Sequence, residues 1–300
     1  MNHQIRWTIQ KIQKRLEEIS TLVYRQSIPI PPFRFWILER PGSNPFTARI
    51  VDDSDWEVIP VNSYWGYPRT NFIIRTTFCL PKNWDNDTQT ALYLPIGTSG
   101  DFSHPEALAY IDGHPYASCD RHHQEILLPP RWLDHETHAL ALNGWTGIGG
   151  STVGNPNKKI LMELCKVVQI DQPTRDFLAL ASVTLEIVKL LDNNQPSKHS
   201  LLTSLDEAFC SLDLRIPIAN GFYQSVPIAY KKLNDGILRS GIPLDVDITA
   251  IGHAHIDIAW LWTLGQTRQK VGRTFYNVVR LMEEFPKFQF TQSQPQLYEF

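Results

Sequence analysis

The run Gly252-His253-Ala254-His255-Ile256-Asp257-Ile258-Ala259-Trp260-Leu261-Trp262 gathers residue types that do chemistry. His253, His255 and Asp257 stand at i, i+2 and i+4, so an extended backbone puts their side chains on one face. Imidazole nitrogen and carboxylate oxygen are good donors to Zn2+. Trp260 and Trp262 add flat apolar surface that suits stacking on a sugar ring. The same residues also fit strand-end histidines in hydrogen bonds beside two core tryptophans, and spacing alone leaves the two readings even.

Strands and a helix must hold this run in place. Asp245 to Gly252 has the apolar content of a buried strand (Val246, Ile248, Ala250, Ile251). Val271, Phe275, Val278, Met282 and Phe285 form one stripe of a following helix,. Thr263 and Gln266 fit a capping box at its start, and Pro286 stops it,. Phe288 to Thr291 reads as a second strand. Strand, helix, strand is a βαβ unit, and parallel α/β domains bind ligands at the carboxyl ends of their strands. One such unit cannot close a core, so it must pack on the preceding helical segment or belong to a domain that continues.

Upstream, Ile5, Ile9, Ile12, Leu16, Ile19 and Val23 recur at helical spacing, and Pro29, Pro31 and Pro32 end that helix,. From about 36 to 155 short apolar runs alternate with glycine and proline turns. Thr70–Leu80, Thr90–Ile96, Ala107–Ile111, Gln124–Leu128 and Thr137–Leu142 read as strands, with a tight turn at Asp112-Gly113,. This pattern predicts a mainly antiparallel β-sandwich or jelly roll. Trp56, Trp65, Trp132 and Trp145 are expected in its core rather than on a sugar-binding face. His114, His122, His123, His135 and His138 fit no metal-ligand spacing and are expected at the surface or in turns. Residues 156–244 read as helical. Phe177, Leu180, Val183, Ile187 and Leu191 form one stripe that Leu178, Leu185 and Val188 widen, a break follows at Asn193-Asn194-Gln195-Pro196, and Ser204 with Glu207 has capping-box spacing, at a helix start or mid-helix,.

The 42% hydrophobic and 20% charged content is that of a globular protein, and the net charge of −3 offers no basic field for nucleic acid or an anionic membrane,. Cys79, Cys119, Cys165 and Cys210 are widely spaced, which argues against a disulfide framework and for a reducing compartment,. Met1 to Arg25 lacks the uninterrupted apolar run of a secretory signal, so Asn86-Asp87-Thr88 is read as a chance glycosylation sequon,. A cytoplasmic location is expected, with homo-oligomerisation open.

Other metal hydrolases use related spacings. Amidohydrolases have His-x-His after a first strand, and metallo-β-lactamase-like enzymes have His-x-His-x-Asp-His, where this chain has Ile258 after the aspartate. The longer pattern is more specific. Gly252 to Trp262, Arg273-Thr274-Phe275, Leu281-Met282-Glu283-Glu284-Phe285-Pro286, Phe288-Gln289-Phe290 and Ser293-Gln294-x-Gln296-Leu297-Tyr298 resemble the glycoside hydrolase family 38 α-mannosidases, in their cytosolic/vacuolar and bacterial branch. Many members have Pro at position 263 and Glu at position 266.

The resemblance implies a multidomain α+β and α/β protein. Its parts are an N-terminal helix with a proline-rich linker (1–35), a β-sandwich (36–155), a helical linker (156–244) and the start of a parallel, barrel-like α/β catalytic domain (245–300). It implies a zinc-dependent retaining enzyme that hydrolyses terminal α-D-mannosyl residues of oligosaccharides, with His255 and Asp257 as zinc ligands. Trp260 would stack on the mannose, and His253 would support the ligands rather than bind metal. The nucleophile and acid/base of such an enzyme match no acid of this chain, so the chain alone is expected to be inactive. The alternative from another class is a carbohydrate-binding or assembly module with a remnant catalytic motif.

Overall fold

The computed structural model describes residues 8–97, 104–148, 160–215, 218, 220–241 and 246–300. The four segments read along the sequence sort into two compact units, each built from two stretches of chain: 1–26 with 169–248, and 27–168 with 249–300.

The first unit is helical. Helix α1 (Thr8–Ser20) buries Ile12, Leu16 and Ile19 in one core with α2 (Gln172–Leu190), α3 (Pro196–Phe209) and α4 (Asn220–Arg239). Ile5, assigned to the α1 stripe, lies outside the described residues. Asp171 caps α2, its Oδ2 accepting from the Thr174 amide at 3.0 Å and the Thr174 hydroxyl at 2.6 Å,. The buried face of α2 is Phe177, Ala181, Leu185 and Val188, while Val183 and Ile187 are exposed. Phe177, Leu185 and Val188 of the expected apolar face are buried and Leu178, Leu180 and Leu191 pack against the same core, so only Val183 and Ile187 of that reading turn outward. Ser204 lies inside α3, with its hydroxyl bonded back to the Ser200 carbonyl, and Pro196 opens the helix instead,.

The second unit holds most of the strands. A six-stranded antiparallel sheet runs β3 (Glu57–Ile59), β2 (Phe33–Leu38), β5 (Asn71–Phe78), β10 (His138–Trp145), β7 (Glu106–Ile111), β8 (His114–Cys119). A four-stranded sheet runs β1 (Tyr24–Pro29), β12 (Lys166–Ile170), β6 (Thr90–Tyr93), β9 (Glu125–Leu127), and β4 (Ser63–Trp65) pairs with β11 (Ile160–Met162). Phe33, Phe72 and Leu140 of the larger sheet share a core with Leu92, Ile126 and Val167 of the smaller, which makes the region a sandwich,. Strands thus reach to 170, into the stretch expected to be helical. The β7–β8 hairpin turns at Asp112 (φ 52°) and Gly113 (φ 86°), the conformation that Asp-Gly favours,. Trp56, Trp65, Trp132 and Trp145 are all buried. His138 departs from expectation: it is buried, and its two ring nitrogens face Asp112 Oδ2 at 2.7 Å and Asp134 Oδ1 at 2.8 Å.

The outer face of the six-stranded sheet is also covered. Strand alternation sends Ala107, Ala109 and Ile111 into the sandwich core and Glu106 to the opposite side,. There it meets α5 (Leu264–Glu284), which packs against β7 and β8. Glu106 bonds Lys270 Nζ at 2.7 and 2.8 Å and Arg273 Nη2 at 2.6 Å. Gln269 donates to the Pro41 carbonyl at 2.6 Å. The helix after the motif therefore rests on the sandwich.

The βαβ unit exists in reduced form. β13 (Gly252–His253) and β14 (Phe290–Thr291) pair in parallel on either side of α5. The expected buried strand from 245 is not formed over 246–251, where Val246, Ile248 and Ile251 are exposed. Parallel strands are buried when flanked by strands and covered on both faces, and the only described partner of β13 is β14,. Residue 245 lies outside the described residues. Among the described residues no helix is long and apolar enough to cross a membrane.

Candidate functional site

Gly252 opens the site. Its amide donates to the Gln289 carbonyl at 2.8 Å, and a Cβ there would lie 2.7 Å from Phe288 Cζ, so the absence of a side chain at 252 leaves room for the Phe288 ring,. Beyond the ladder the chain runs to Asp257 without helix or turn. Gln292, buried, donates to the Ala254 carbonyl at 2.6 Å. Ile256 is buried with Val271 and Leu297, and this inward anchor turns its neighbours outward,. His255 and Asp257 consequently project to solvent, with side-chain exposures of 77% and 45%.

His255 Nε2 and Asp257 Oδ1 converge to 3.2 Å. His253 does not join them; its Nε2 faces Ser293 Oγ at 3.2 Å. After Asp257 the chain turns through Ala259, which adopts a left-handed φ of 56°. Trp260 is half exposed and meets Trp262 edge to face, with ring centroids 5.1 Å apart. The Trp262 indole N–H lies 3.2 Å from both the Asp257 carbonyl and Thr267 Oγ1. Thr263 caps α5, its Oγ1 accepting from the Gln266 amide at 3.4 Å. The reciprocal half of the capping box is absent, because the Gln266 side chain donates to Asn71 Oδ1 on β5.

The donor chemistry suits zinc, but the set is half a site. Zinc takes four ligands when held structurally and three when catalytic, and among the described residues no group of three His, Cys, Asp or Glu side chains is placed to hold a metal. Of the acids later in the chain, Glu283 is exposed and paired with Arg280 at 2.9 Å, and Glu284 and Glu299 are exposed. Thr267, Gln292 and the ion cluster at Glu106 support the site and were not singled out from sequence. Their signal is tertiary, since each acts on a partner remote along the chain or across a turn.

Residues 245–300 match the family model for the Glycosyl hydrolases family 38 N-terminal domain. Over 53 residues, 18% of this chain and 5% of the relative, the sequence is 43% identical to Alpha-mannosidase G of Dictyostelium discoideum. The chain resembles the N-terminal portion of a glycosyl hydrolase family 38 α-mannosidase. Alpha-mannosidase 2C1 of Homo sapiens is 25% identical over 206 residues, 65% of this chain and 19% of that protein. This likeness to the family extends upstream of the motif, while the chain spans less than a fifth of the length of these curated relatives. Among solved structures, a match to a Bacteroides Uniformis beta-glucuronidase covers 48% of this chain and 18% of that one at 15% identity and a TM-score of 0.35. His253, His255, Asp257 and Trp260 all fall inside the family 38 segment.

Proposed function

We propose that this chain is the N-terminal portion of a zinc-dependent retaining α-mannosidase acting on terminal α-D-mannosyl residues of oligosaccharides, with the βαβ unit as the opening of a barrel-like catalytic domain. The observation that carries the reading is the convergence of His255 Nε2 and Asp257 Oδ1 beyond β13, within the family 38 segment. These two residues would hold the zinc, which when bound supplies a Lewis acid for sugar hydroxyls. Trp260 offers its half-exposed ring to the sugar face, and Ser293 fixes the His253 ring beside the ligands,. The chain by itself would not turn over mannosides, because retaining hydrolysis needs two carboxyls about 5–5.5 Å apart and the resemblance gives Asp257 to the metal rather than to the reaction. A cytoplasmic setting is part of this proposal.

The test is zinc titration of the 300-residue chain and of His255→Ala, with an aryl α-mannoside assay on each. Weak zinc binding lost in His255→Ala, with no turnover, is expected. Tight zinc binding that survives His255→Ala would place the metal elsewhere. Turnover by this chain that disappears in Asp257→Asn would make Asp257 a reacting carboxylate.

A further inference from the structure

Resting on the assignment of His255, Asp257 and Trp260 above, we propose that Thr267 is a positioning residue that sets the conformation of the Asp257–Trp262 loop. Thr267 stands in the first turn of α5 and is fully buried. Its Oγ1 accepts from the Ala259 amide at 3.2 Å and from the Trp262 indole N–H at 3.2 Å. Its own proton is within reach of the Asp257 carbonyl at 3.3 Å or the Thr263 carbonyl at 3.4 Å. A hydroxyl offers one donor and two lone pairs, so this single group is saturated by the loop and the turn beneath it.

Each contact acts at a point where the loop has to be held. Ala259 sits at a φ of 56°, a region unfavourable for a residue with a Cβ, and its amide is the one Thr267 receives,. The Asp257 carbonyl faces both Thr267 and Trp262 Nε1, which fixes the peptide plane next to the Asp257 carboxylate. The Trp260 amide donates to the Trp262 carbonyl at 3.1 Å, so holding Trp262 also holds Trp260. Lys270 Nζ lies 5.3 Å from the Trp262 ring centroid while bonded to Glu106, and Gln269 holds Pro41. The hub therefore stands on a helix that is itself fixed to the β-sandwich. The sandwich acts here as a rigid base for the site, the arrangement a precise metal and sugar constellation requires.

The test compares the 300-residue chain with Thr267→Val, which keeps the shape and removes the hydroxyl, and Thr267→Ser, which keeps the hydroxyl. Solvent exchange of the Trp262 indole N–H and the Ala259 amide is read by 15N NMR, with the indole assigned through Trp262→Phe. Thr267→Val should speed both exchanges by about tenfold, the scale of one hydrogen bond, while Thr267→Ser stays within about twofold of the parent. Zinc affinity should follow the same order. Unchanged exchange in Thr267→Val, or equal acceleration in Thr267→Ser, would overturn the proposal. So would faster exchange with zinc affinity unaltered. Failure of the parent chain to bind zinc would count against the metal reading, and the exchange rates would then decide the role of Thr267 alone. If Thr267→Val does not fold, a Thr267→Ser chain with parental exchange rates supports the hydroxyl and one with accelerated exchange refutes it.

Discussion

Replacing Glu106 by Gln should detach α5 from the sandwich. The carboxylate is shared by Lys270 and Arg273 at 2.6–2.8 Å, with side-chain exposures of 19%, 24% and 7%. Removing one member of a buried ion cluster costs roughly 3–5 kcal/mol because the remaining charges stay desolvated. Lys270 can swing partly into water, so about 3 kcal/mol is expected. For a unit of this size that lowers the midpoint by roughly 6–12 °C. Eight of the nine tryptophans lie in residues 27–168 and 249–300, so thermal unfolding followed by tryptophan fluorescence reports this unit. A fall below about 2 °C would refute the argument. Glu106→Leu combined with Lys270→Met and Arg273→Leu should recover most of the loss, as apolar replacements of buried ion pairs commonly do. Acid gives a second check. Burial pushes the Glu106 carboxyl upward, but Arg273 and Lys270 outweigh it and hold it below its ordinary value of 4.5. A depressed carboxyl contributes fully above that ordinary value and loses its contribution as pH falls through the folded one. The gap between parent and Glu106→Gln should therefore close below about pH 4.5.

Three further outcomes are expected. Burial raises the Asp120 carboxyl, but His123 and nearby amides draw it down to about 2, while the bond to Asp120 raises the His123 imidazole against its own burial; the pair should stabilise most between about pH 4 and 6.5, and NMR titration of Asp120→Asn should show the His123 value falling. His138→Gln should cost about 2 kcal/mol in denaturant unfolding, the scale of a hydrogen bond to a charged partner, because Asp112 and Asp134 both lose the imidazole. Gly144→Ala would place a Cβ 2.2 Å from the Glu106 carbonyl and 2.8 Å from Ala107 Cα, so β10 and β7 must part and calorimetry should register a loss of roughly 1–3 kcal/mol.

What the sequence made legible follows from which forces are local. Alternation and turn chemistry are local, so β5, β7 and β10 and the Asp112-Gly113 hairpin were readable along the chain. The outward set of His255 and Asp257 around the inward Ile256 follows from the same two-residue period. Val246 to Ile251 misled because apolar content records what a segment is able to bury, whereas its strand state depends on neighbours that β13 lacks among the described residues. His138 misled for the opposite reason. Nothing within its own strand signals the carboxylate of Asp112, which the β7–β8 turn delivers from 26 residues away. The docking of α5 was invisible because Glu106 and Lys270 are 164 residues apart.

The joining of α1 to α2, α3 and α4 has a consequence for how the protein is made. About 150 residues of chain separate the end of α1 from the start of α2, and at roughly 5–20 residues per second that interval takes about 8–30 s on the ribosome. Throughout it Ile12, Leu16 and Ile19 have none of the partners that cover them in the finished unit. The sandwich strands emerge in that interval and can pair as they appear. An amphipathic helix left exposed on a nascent chain is a natural substrate for holding chaperones, so synthesis at reduced chaperone capacity should leave α1 as the point of failure. Softening its stripe with Ile12→Ala would ease aggregation during synthesis while weakening the finished helical unit, and the two effects separate by comparing soluble yield with equilibrium unfolding.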